Sequence, residues 1–194
     1  YSVDLLINGH QKGTMPPDYV GGLTTAGINN LKEFLKEGGT LIFMNTTCNL
    51  ATREFKAPVR NILEKAKREE FNCVGSILQA EFDLSHPVAY GLSNPQPILF
   101  ADSCAFDIHP SFTDKNVPRV IARYAGDNLL LSGWIYGQNL IQQKAAIVEV
   151  PVERGRLILL GFPVQYRAQP RGTFKLLFNS IFYGSVKAGS GQKG

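Results

Sequence analysis

The feature that most constrains the fold is an apolar run that follows a pair of glycines. Apolar residues recur at helical spacing from Ile28 to Leu35, and Gly38 stands where a left-handed helix end is wanted. The run from Thr40 to Met44 is typical of a strand that is buried on both faces. With a further strand expected from Tyr1 to Ile7, the order strand, helix, strand forms a βαβ unit. The sequence therefore predicts an α/β protein with a parallel sheet.

The rest of the chain changes character at Ser76. Before it, residues 50–67 look helical, with Pro58 forcing a break or a new first turn. After it, short alternating or β-branched runs predict a more antiparallel half. These strands are expected at residues 77–82, 97–100, 105–108, 119–124, 128–131, 145–150 and 156–162, the last two joined by a five-residue hairpin connection.

A final helix is expected from Thr173 to Tyr183. Its Phe174, Leu177, Phe178 and Ile181 form one apolar face. No linker divides the two halves, so the sequence predicts a single domain over residues 1–184. The Gly, Ser and Lys residues of 185–194 predict a flexible tail.

Composition excludes several classes of protein. Hydrophobic residues make up 44% of the chain and charged residues 19%, as in a globular domain. No apolar run approaches the roughly 18–20 residues of a membrane span. The net charge of +4 is spread over mixed-sign segments, which argues against nucleic-acid binding. The three cysteines are widely spaced and form no Cys-x-x-Cys, so buried free thiols are expected rather than a disulfide framework or a zinc ribbon.

The richest candidate for chemistry directly follows the apolar strand and consists of Asn45, Thr46, Thr47 and Cys48. Sites in open α/β sheets gather at the carboxyl ends of strands. Cys48 is a candidate nucleophile of a sharp strand-to-helix turn, if a histidine base lies beside it. The alternative is that Asn45 and the threonines cap the next helix and that Cys48 packs inside it.

Other polar residues are candidates of lower specificity. His10 follows the expected first strand, whereas His86 is most simply a turn residue. Neither belongs to a His-x-x-Glu or His-x-x-x-His pattern, so no metal site is predicted. Gln165 and Arg167 lie between the last strand and the last helix, where the arginine could hold a carboxylate or satisfy loop carbonyls. Trp134 is either a ligand platform or a core or interface anchor.

Several segments together resemble the C-terminal region of bacterial zinc carboxypeptidase-like proteins. They are residues 16–23, which lead into the helix, then 37–41, 132–134 and 161–179. The most specific parts are Gly161 to Arg167 and Gly172 to Asn179. That region is similar to the class I glutamine amidotransferase-like fold, a flavodoxin-like sheet flanked by helices. The resemblance covers roughly residues 1–184 and implies that the first βαβ portion of the domain lies upstream.

This resemblance implies that the chain is not itself an enzyme. On the amidotransferase pattern the nucleophile position is Asn45, and Cys48 falls three residues too late. The late catalytic histidine is missing, since no histidine follows His109. An amide cannot make the attack that a thiolate would. Two alternatives stay open: a degenerate pocket that binds a small ligand, and a cysteine hydrolase that uses Cys48 with His10 or His86.

The resemblance also implies a parent protein and a cellular location. Zinc and carboxypeptidase activity would belong to the parent protein alone, whose peptidase domain on the same polypeptide would be the partner of this one. No cofactor is expected in this chain. Such parents are generally exported, which implies a periplasmic or extracellular location. The sequence leaves open whether the domain forms a homo-oligomer.

Overall fold

The computed structural model describes residues 2–109 and 117–186 of the chain. Four α-helices are described: α1 (Val3–Asn8), α2 (Thr24–Lys36), α3 (Cys48–Glu54) and α4 (Phe174–Ser185). Nine strands are described: β1 (Thr40–Met44), β2 (Val59–Asn61), β3 (Ser76–Phe82), β4 (Gln96–Phe100), β5 (Phe106–Ile108), β6 (Arg119–Tyr124), β7 (Leu130–Ser132), β8 (Ala145–Val152) and β9 (Gly155–Leu160).

All nine described strands belong to one mixed sheet. Its main path runs in the order β1-β9-β8-β6-β3-β4, while β7 pairs with β3 and β5 joins β8 to β2. Strands β1 and β9 are parallel, and the other pairings among the described strands are antiparallel. The prediction of an α/β fold with a more antiparallel second half is therefore confirmed.

Helices cover both faces of this sheet. Successive residues of β9 alternate between two apolar clusters, because side chains of a strand point to opposite faces. Ile158 and Leu160 belong to a cluster that includes Leu176 of α4. Leu157 and Leu159 belong to a second cluster, which includes residues of α1, α2 and α3. The result is a three-layer α/β/α arrangement with β8 and β9 at its centre.

The predicted end of α2 is confirmed in detail. Gly38 has a φ of 102°. Its N–H donates to the carbonyl of Leu35, and the N–H of Gly39 donates to that of Phe34. These two bonds form a Schellman motif, which satisfies carbonyls that the helix end would otherwise leave free. At the other end, the hydroxyl of Thr24 accepts a 3.4 Å hydrogen bond from the N–H of Gly27.

The predicted opening strand is wrong, since Val3–Asn8 is the helix α1. The hydroxyl of Ser2 accepts a hydrogen bond from the N–H of Leu5 at 3.2 Å, and Asp4 lies in the first turn. This local cap outweighs the β-branched composition of the segment. The βαβ unit is consequently absent, and β1 takes β9 as its parallel partner instead.

The prediction that β1 is buried on both faces is confirmed only in part. Its side chains pack against both apolar clusters, but it is the edge strand of the main path and Phe43 alone is buried, the others being half-buried. Nearby, the predicted helix at residues 50–67 ends at Glu54. Lys56 takes a φ of 53° and Pro58 cannot continue a helix, so the chain turns into β2. That strand pairs with β5, a contact no local pattern could indicate.

Smaller differences concern the end of the chain. The hairpin connection is a two-residue turn, Glu153-Arg154, because both strands extend further than predicted. Helix α4 continues to Ser185, and residues 187–194 of the predicted tail lie outside the described residues. Within the described part, none of the helices has the length and apolar character needed to cross a membrane.

Candidate functional site

The chain makes a sharp strand-to-helix turn at the carboxyl end of β1. Asn45 lies there with a φ of 55°, in the left-handed region that asparagine tolerates better than most residues. Asn45 to Thr47 form a single 3₁₀ turn that leads directly into α3. The hydroxyl of Thr47 accepts from the N–H of Met44 at 2.9 Å and donates to its carbonyl at 2.7 Å. These bonds fix the turn, which we call the elbow.

The Asn45 side chain ties the elbow to the loop after β4. Its Nδ2 donates to the carbonyl of Ala101 at 3.0 Å, and its own backbone carbonyl accepts from the thiol of Cys104 at 3.3 Å. Its Oδ1 is buried and has no hydrogen-bond partner among the described residues. A buried acceptor without a partner is costly in a folded protein. The elbow therefore carries both backbone strain and an unused acceptor.

Cys48 is fully buried as the first residue of α3. Its Sγ lies 3.6 Å from the carbonyl of Leu160, to which the thiol donates. Burial raises the pKa of the Cys48 thiol well above its usual value, and the neighbouring Cys104 thiol raises it further. In the described part of the chain, no hydrogen bond joins Cys48 to an imidazole. This environment disfavours the thiolate that a nucleophile needs.

The expectation of buried free thiols is confirmed for all three cysteines. The structure also brings Asn45, Thr46, Thr47 and Cys48 together at the elbow, as their sequence positions require. Among the described residues, no group of three or more His, Cys, Asp or Glu side chains is close enough to hold a metal ion.

The remaining predicted site residues lie on other segments. His10 is partly exposed on the loop after α1, where its backbone N–H donates to the carbonyl of Val20. Gln165 and Arg167 are exposed between β9 and α4. The Arg167 guanidinium lies over the ring of the adjacent Tyr166, 5.4 Å from its centroid. None of the three lines the pocket beside the elbow.

That pocket, which we call the elbow pocket, has a volume of about 320 Å³. Thr46 and Asn49 line it from the elbow and α3, Arg68 from the segment after β2, and Asp102 and Ser103 from the loop after β4. Asp102, like Asn45, has a left-handed backbone, with a φ of 49°. Strained residues of this kind cluster at functional sites. Sequence analysis missed the pocket because its lining comes from three separate segments.

The elbow pocket combines polar groups with an aromatic wall. Asn61 is satisfied internally: its Nδ2 donates to Asn49 Oδ1 at 2.9 Å, and its Oδ1 accepts from the N–H of Leu63. Arg68 and Asp102 form no ion pair with any described residue, so both are available to a ligand. The rings of Phe71 and Phe100 also line the pocket. The pocket can therefore offer charge, amide groups and an apolar surface to one small molecule.

A second polar group lies around Glu149 of β8, on the face of the sheet that α4 covers. The Nδ1 of His86 accepts a hydrogen bond from the N–H of Val88 at 3.2 Å, so its Nε2 carries the proton and donates to Glu149 at 2.8 Å. Tyr183 and Arg156 also bond the carboxylate, at 3.2 and 3.3 Å. Burial acts to raise the pKa of Glu149, but the hydrogen bond and charge of His86, together with Arg156 and Tyr183, outweigh it and hold that pKa below its usual value.

Both imidazole nitrogens of His86 are therefore occupied. The interpretation of His86 as a turn residue is incomplete, because it caps a 3₁₀ turn and is also fully bonded inside the protein. A histidine without a free nitrogen cannot act as a general base. No sequence pattern indicated this group, since His86 and Glu149 are 63 residues apart.

The sheet order and the covering helices define the chain as a mixed α/β protein with a curled sheet flanked by helices. This architecture is consistent with the predicted flavodoxin-like, glutamine amidotransferase-like class. No protein family and no curated protein matches the sequence.

Several solved structures are similar to the chain at low sequence identity. A cytoplasmic protein from Salmonella typhimurium is similar with a TM-score of 0.50 and 15% identity, over 81% of this chain and 59% of that one. A ThuA-like protein from Bacteroides uniformis gives a TM-score of 0.48 and 11% identity, over 90% and 65% of the two chains. A β-galactosidase from Bacillus circulans sp. alkalophilus gives 0.48 and 13%, over 84% and 21%.

At such identities the similarity concerns the fold and carries no activity to this chain. The chain spans 59% of the length of the Salmonella protein.

Proposed function

We propose that the chain is a non-catalytic domain with an ancillary role in positioning, assembly or ligand sensing. The observation that carries the proposal is the side chain at the elbow, where Asn45 occupies the place of a nucleophile and donates to Ala101. An amide has no lone pair nucleophilic enough for acyl transfer. The buried, hydrogen-bonded thiol of Cys48 supports the same proposal.

The test combines thiol labelling with an amidase assay. In the native protein we expect all three thiols to react slowly with a disulfide reagent, and all to react in denaturant. We expect no release of ammonia from glutamine or simple amides, and no change on Cys48→Ser. Rapid labelling of Cys48, or amide hydrolysis that Cys48→Ser abolishes, would overturn the proposal in favour of the cysteine hydrolase.

The same proposal places the domain in a zinc metallocarboxypeptidase-like protein that is periplasmic or extracellular. This part rests on the sequence resemblance alone, chiefly on Gly161 to Arg167 and Gly172 to Asn179. The peptidase domain would hold the zinc, and residues 1–184 would pack on it. The test is the whole gene product: we expect chelator-sensitive release of C-terminal amino acids, and altered activity or stability when residues 1–184 are deleted. A gene product without such activity would exclude this parent.

A second candidate function is small-ligand binding at the elbow pocket. The observation that favours it is a cavity of about 320 Å³ lined by Asp102, whose backbone is left-handed, and by Arg68, which forms no ion pair with a described residue. A thermal-shift screen of small acids, amides and sugars tests it. We expect a shift that Arg68→Ala removes and Arg167→Ala preserves, because Arg167 does not line the pocket. If no compound raises the melting temperature, or if both variants retain the shift, this pocket is not a binding site.

A further inference from the structure

Helix α4 exposes an apolar stripe to solvent. It packs against the sheet through Leu176 and Ser180, which are fully buried. The predicted apolar face packs only in part: Leu177 contacts the core, whereas Phe178 and Ile181 are more than half exposed. With Phe182 they recur at the spacing that places side chains on one side of a helix.

Neighbouring residues extend this stripe into a larger surface. We call it the α4 patch; its residues range from 47% to 77% exposed and are Phe34, Tyr90, Phe178, Ile181, Phe182 and Val186. The α4 ridge separates two hollows. One has a volume of about 470 Å³ and lies between α4 and the Pro87–Ala89 turn. The other has a volume of about 530 Å³ and lies between α4 and the Gly38–Gly39 end of α2.

The α4 patch carries almost no charge. Within α4 the one charged residue is Lys175, and its Nζ is bonded to the carbonyl of Gly91. A helix face that is meant for solvent is normally polar or charged. Glu37 is the one carboxylate among the residues that line the two hollows, so two copies of this face could approach each other while burying little unpaired charge.

The size of the patch also fits a stable contact. Large apolar side chains present roughly 150–250 Å² each when fully exposed, so these six contribute on the order of 700 Å². The largest apolar patch of an ordinary monomer is about 300–600 Å². A specific interface buries about 800 Å² on each partner. The α4 patch is thus larger than a monomer tolerates and close to what one side of an interface needs.

We propose that the α4 patch is the interface of a two-fold symmetric homodimer, in which α4 packs against α4 of a second copy. A two-fold contact uses the same surface on both copies, so that surface must complement itself. A ridge flanked by two hollows meets this condition, because the aromatic side chains of each copy can enter a hollow of the other. This inference goes beyond the proposed function and does not depend on it.

Light scattering and sedimentation of the full chain test the proposal, from about 1 to 100 µM. We expect the wild-type protein to reach twice the 21.4 kDa mass of the chain. Phe182→Glu should leave a monomer at every concentration, with unchanged circular dichroism, because Phe182 is 67% exposed and its replacement disturbs no core contact. The matched control is Tyr19→Glu, since Tyr19 is a 70% exposed aromatic residue outside the α4 patch, and this variant should remain dimeric.

Cross-linking gives a second measurement that does not depend on dissociation. The native thiols are all buried, so a new cysteine on α4 is the one expected to react. We expect Phe178→Cys or Phe182→Cys to form an intermolecular disulfide under mild oxidation, whereas Tyr19→Cys should not. A wild-type monomer at 100 µM, a mass other than twice that of the chain, or a Phe182→Glu variant as dimeric as Tyr19→Glu would overturn the proposal.

Discussion

At the scale of single residues, backbone strain marks the elbow. Asn45 is held in the left-handed region while its side chain bridges to Ala101. Both properties suit asparagine, because its short amide tolerates this conformation and bonds nearby backbone. A thiol at this position would lose the bridge. Asn45 is therefore explained as a structural residue of the turn.

This account predicts a graded loss of stability for substitutions of Asn45. Asn45→Ala should lower the free energy of unfolding by about 2 kcal/mol, since it adds left-handed strain and leaves the Ala101 carbonyl with only the long 3.4 Å hydrogen bond from the Ser103 hydroxyl. Asn45→Gly should cost about 1 kcal/mol, because it loses the bridge but relieves the strain. Urea unfolding measures both. The control is Asn128→Ala: Asn128 is exposed with a φ of 49°, and no hydrogen bond of its side chain would be lost. Equal losses of stability for Asn45→Ala and Asn45→Gly would contradict the claim that the left-handed backbone at this position is costly for alanine.

Asp83 makes stability depend on acid pH. Hydrogen bonds from Ser85 and then Arg119 lower its pKa from 3.8 to about 2. The carboxylate therefore contributes stability above pH 3.8, and that contribution is lost as the pH falls through about 2.

We expect Asp83→Asn to flatten the decline in unfolding free energy between pH 4 and about 2. Because the ion pair with Arg119 is partly exposed, its share at neutral pH should be small. The measurement is urea unfolding at successive pH values. Asp18→Asn is the control, since Asp18 is exposed and forms no ion pair with a described residue. If both variants follow the wild-type curve, Asp83 does not contribute to this pH dependence.

At the scale of elements, one glycine inside α2 and one just after its C-terminal end should respond in opposite ways to replacement by alanine. Gly38 closes the helix with a φ of 102°, which alanine adopts at a cost of about 1 kcal/mol. Gly27 lies inside the same helix, and a methyl group there would meet only the Leu23 side chain at 3.6 Å. We expect Gly38→Ala to lower the melting temperature. Gly27→Ala should raise it and add about 0.5–1 kcal/mol to the free energy of unfolding. A loss for both variants would mean that Gly27 has a packing role.

Sequence patterns predicted those elements whose cause is local. The strands β3, β4, β6, β8 and β9 and the helices α2 and α4 lie within a few residues of their predicted bounds, because alternation, helical spacing and end signals are contained in each segment. The errors have two kinds of cause. Strand β2 exists because the distant strand β5 pairs with it, whereas α1 begins at a local signal, the Ser2 cap, that the prediction of a strand overlooked.

The candidate site was also predictable only where its cause is local. The elbow was predictable, because any residue that directly follows β1 must lie at its carboxyl end. The elbow pocket and the Glu149 group were not, since each gathers side chains from segments far apart in sequence. The exposure of Phe178 also escaped prediction. Helical spacing identifies an apolar face but does not say whether the sheet or another molecule covers it.

At the scale of the whole molecule, Glu149 joins three other parts of the fold through its hydrogen bonds. Its carboxylate on β8 bonds His86 from the β3–β4 connection, Arg156 from β9 and Tyr183 from α4. The Arg156 guanidinium also lies 4.3 Å from the centroid of the Tyr183 ring. This group therefore sets how α4, and with it the α4 patch, is held on the sheet.

Removing the charge of Glu149 should therefore destabilise the whole domain. Glu149→Gln leaves Arg156 without its buried counter-charge and His86 with a weaker acceptor, so we expect a loss of about 3 kcal/mol in unfolding free energy. Glu81→Gln is the matched control, because Glu81 is an exposed carboxylate on β3, and it should change stability by less than about 0.5 kcal/mol. Hydrogen exchange should show the loss of protection spreading to α4, where the hydrogen bond of Tyr183 to the carboxylate is weakened. If exchange in α4 is unchanged while stability falls, Glu149 stabilises the sheet alone and does not hold the helix.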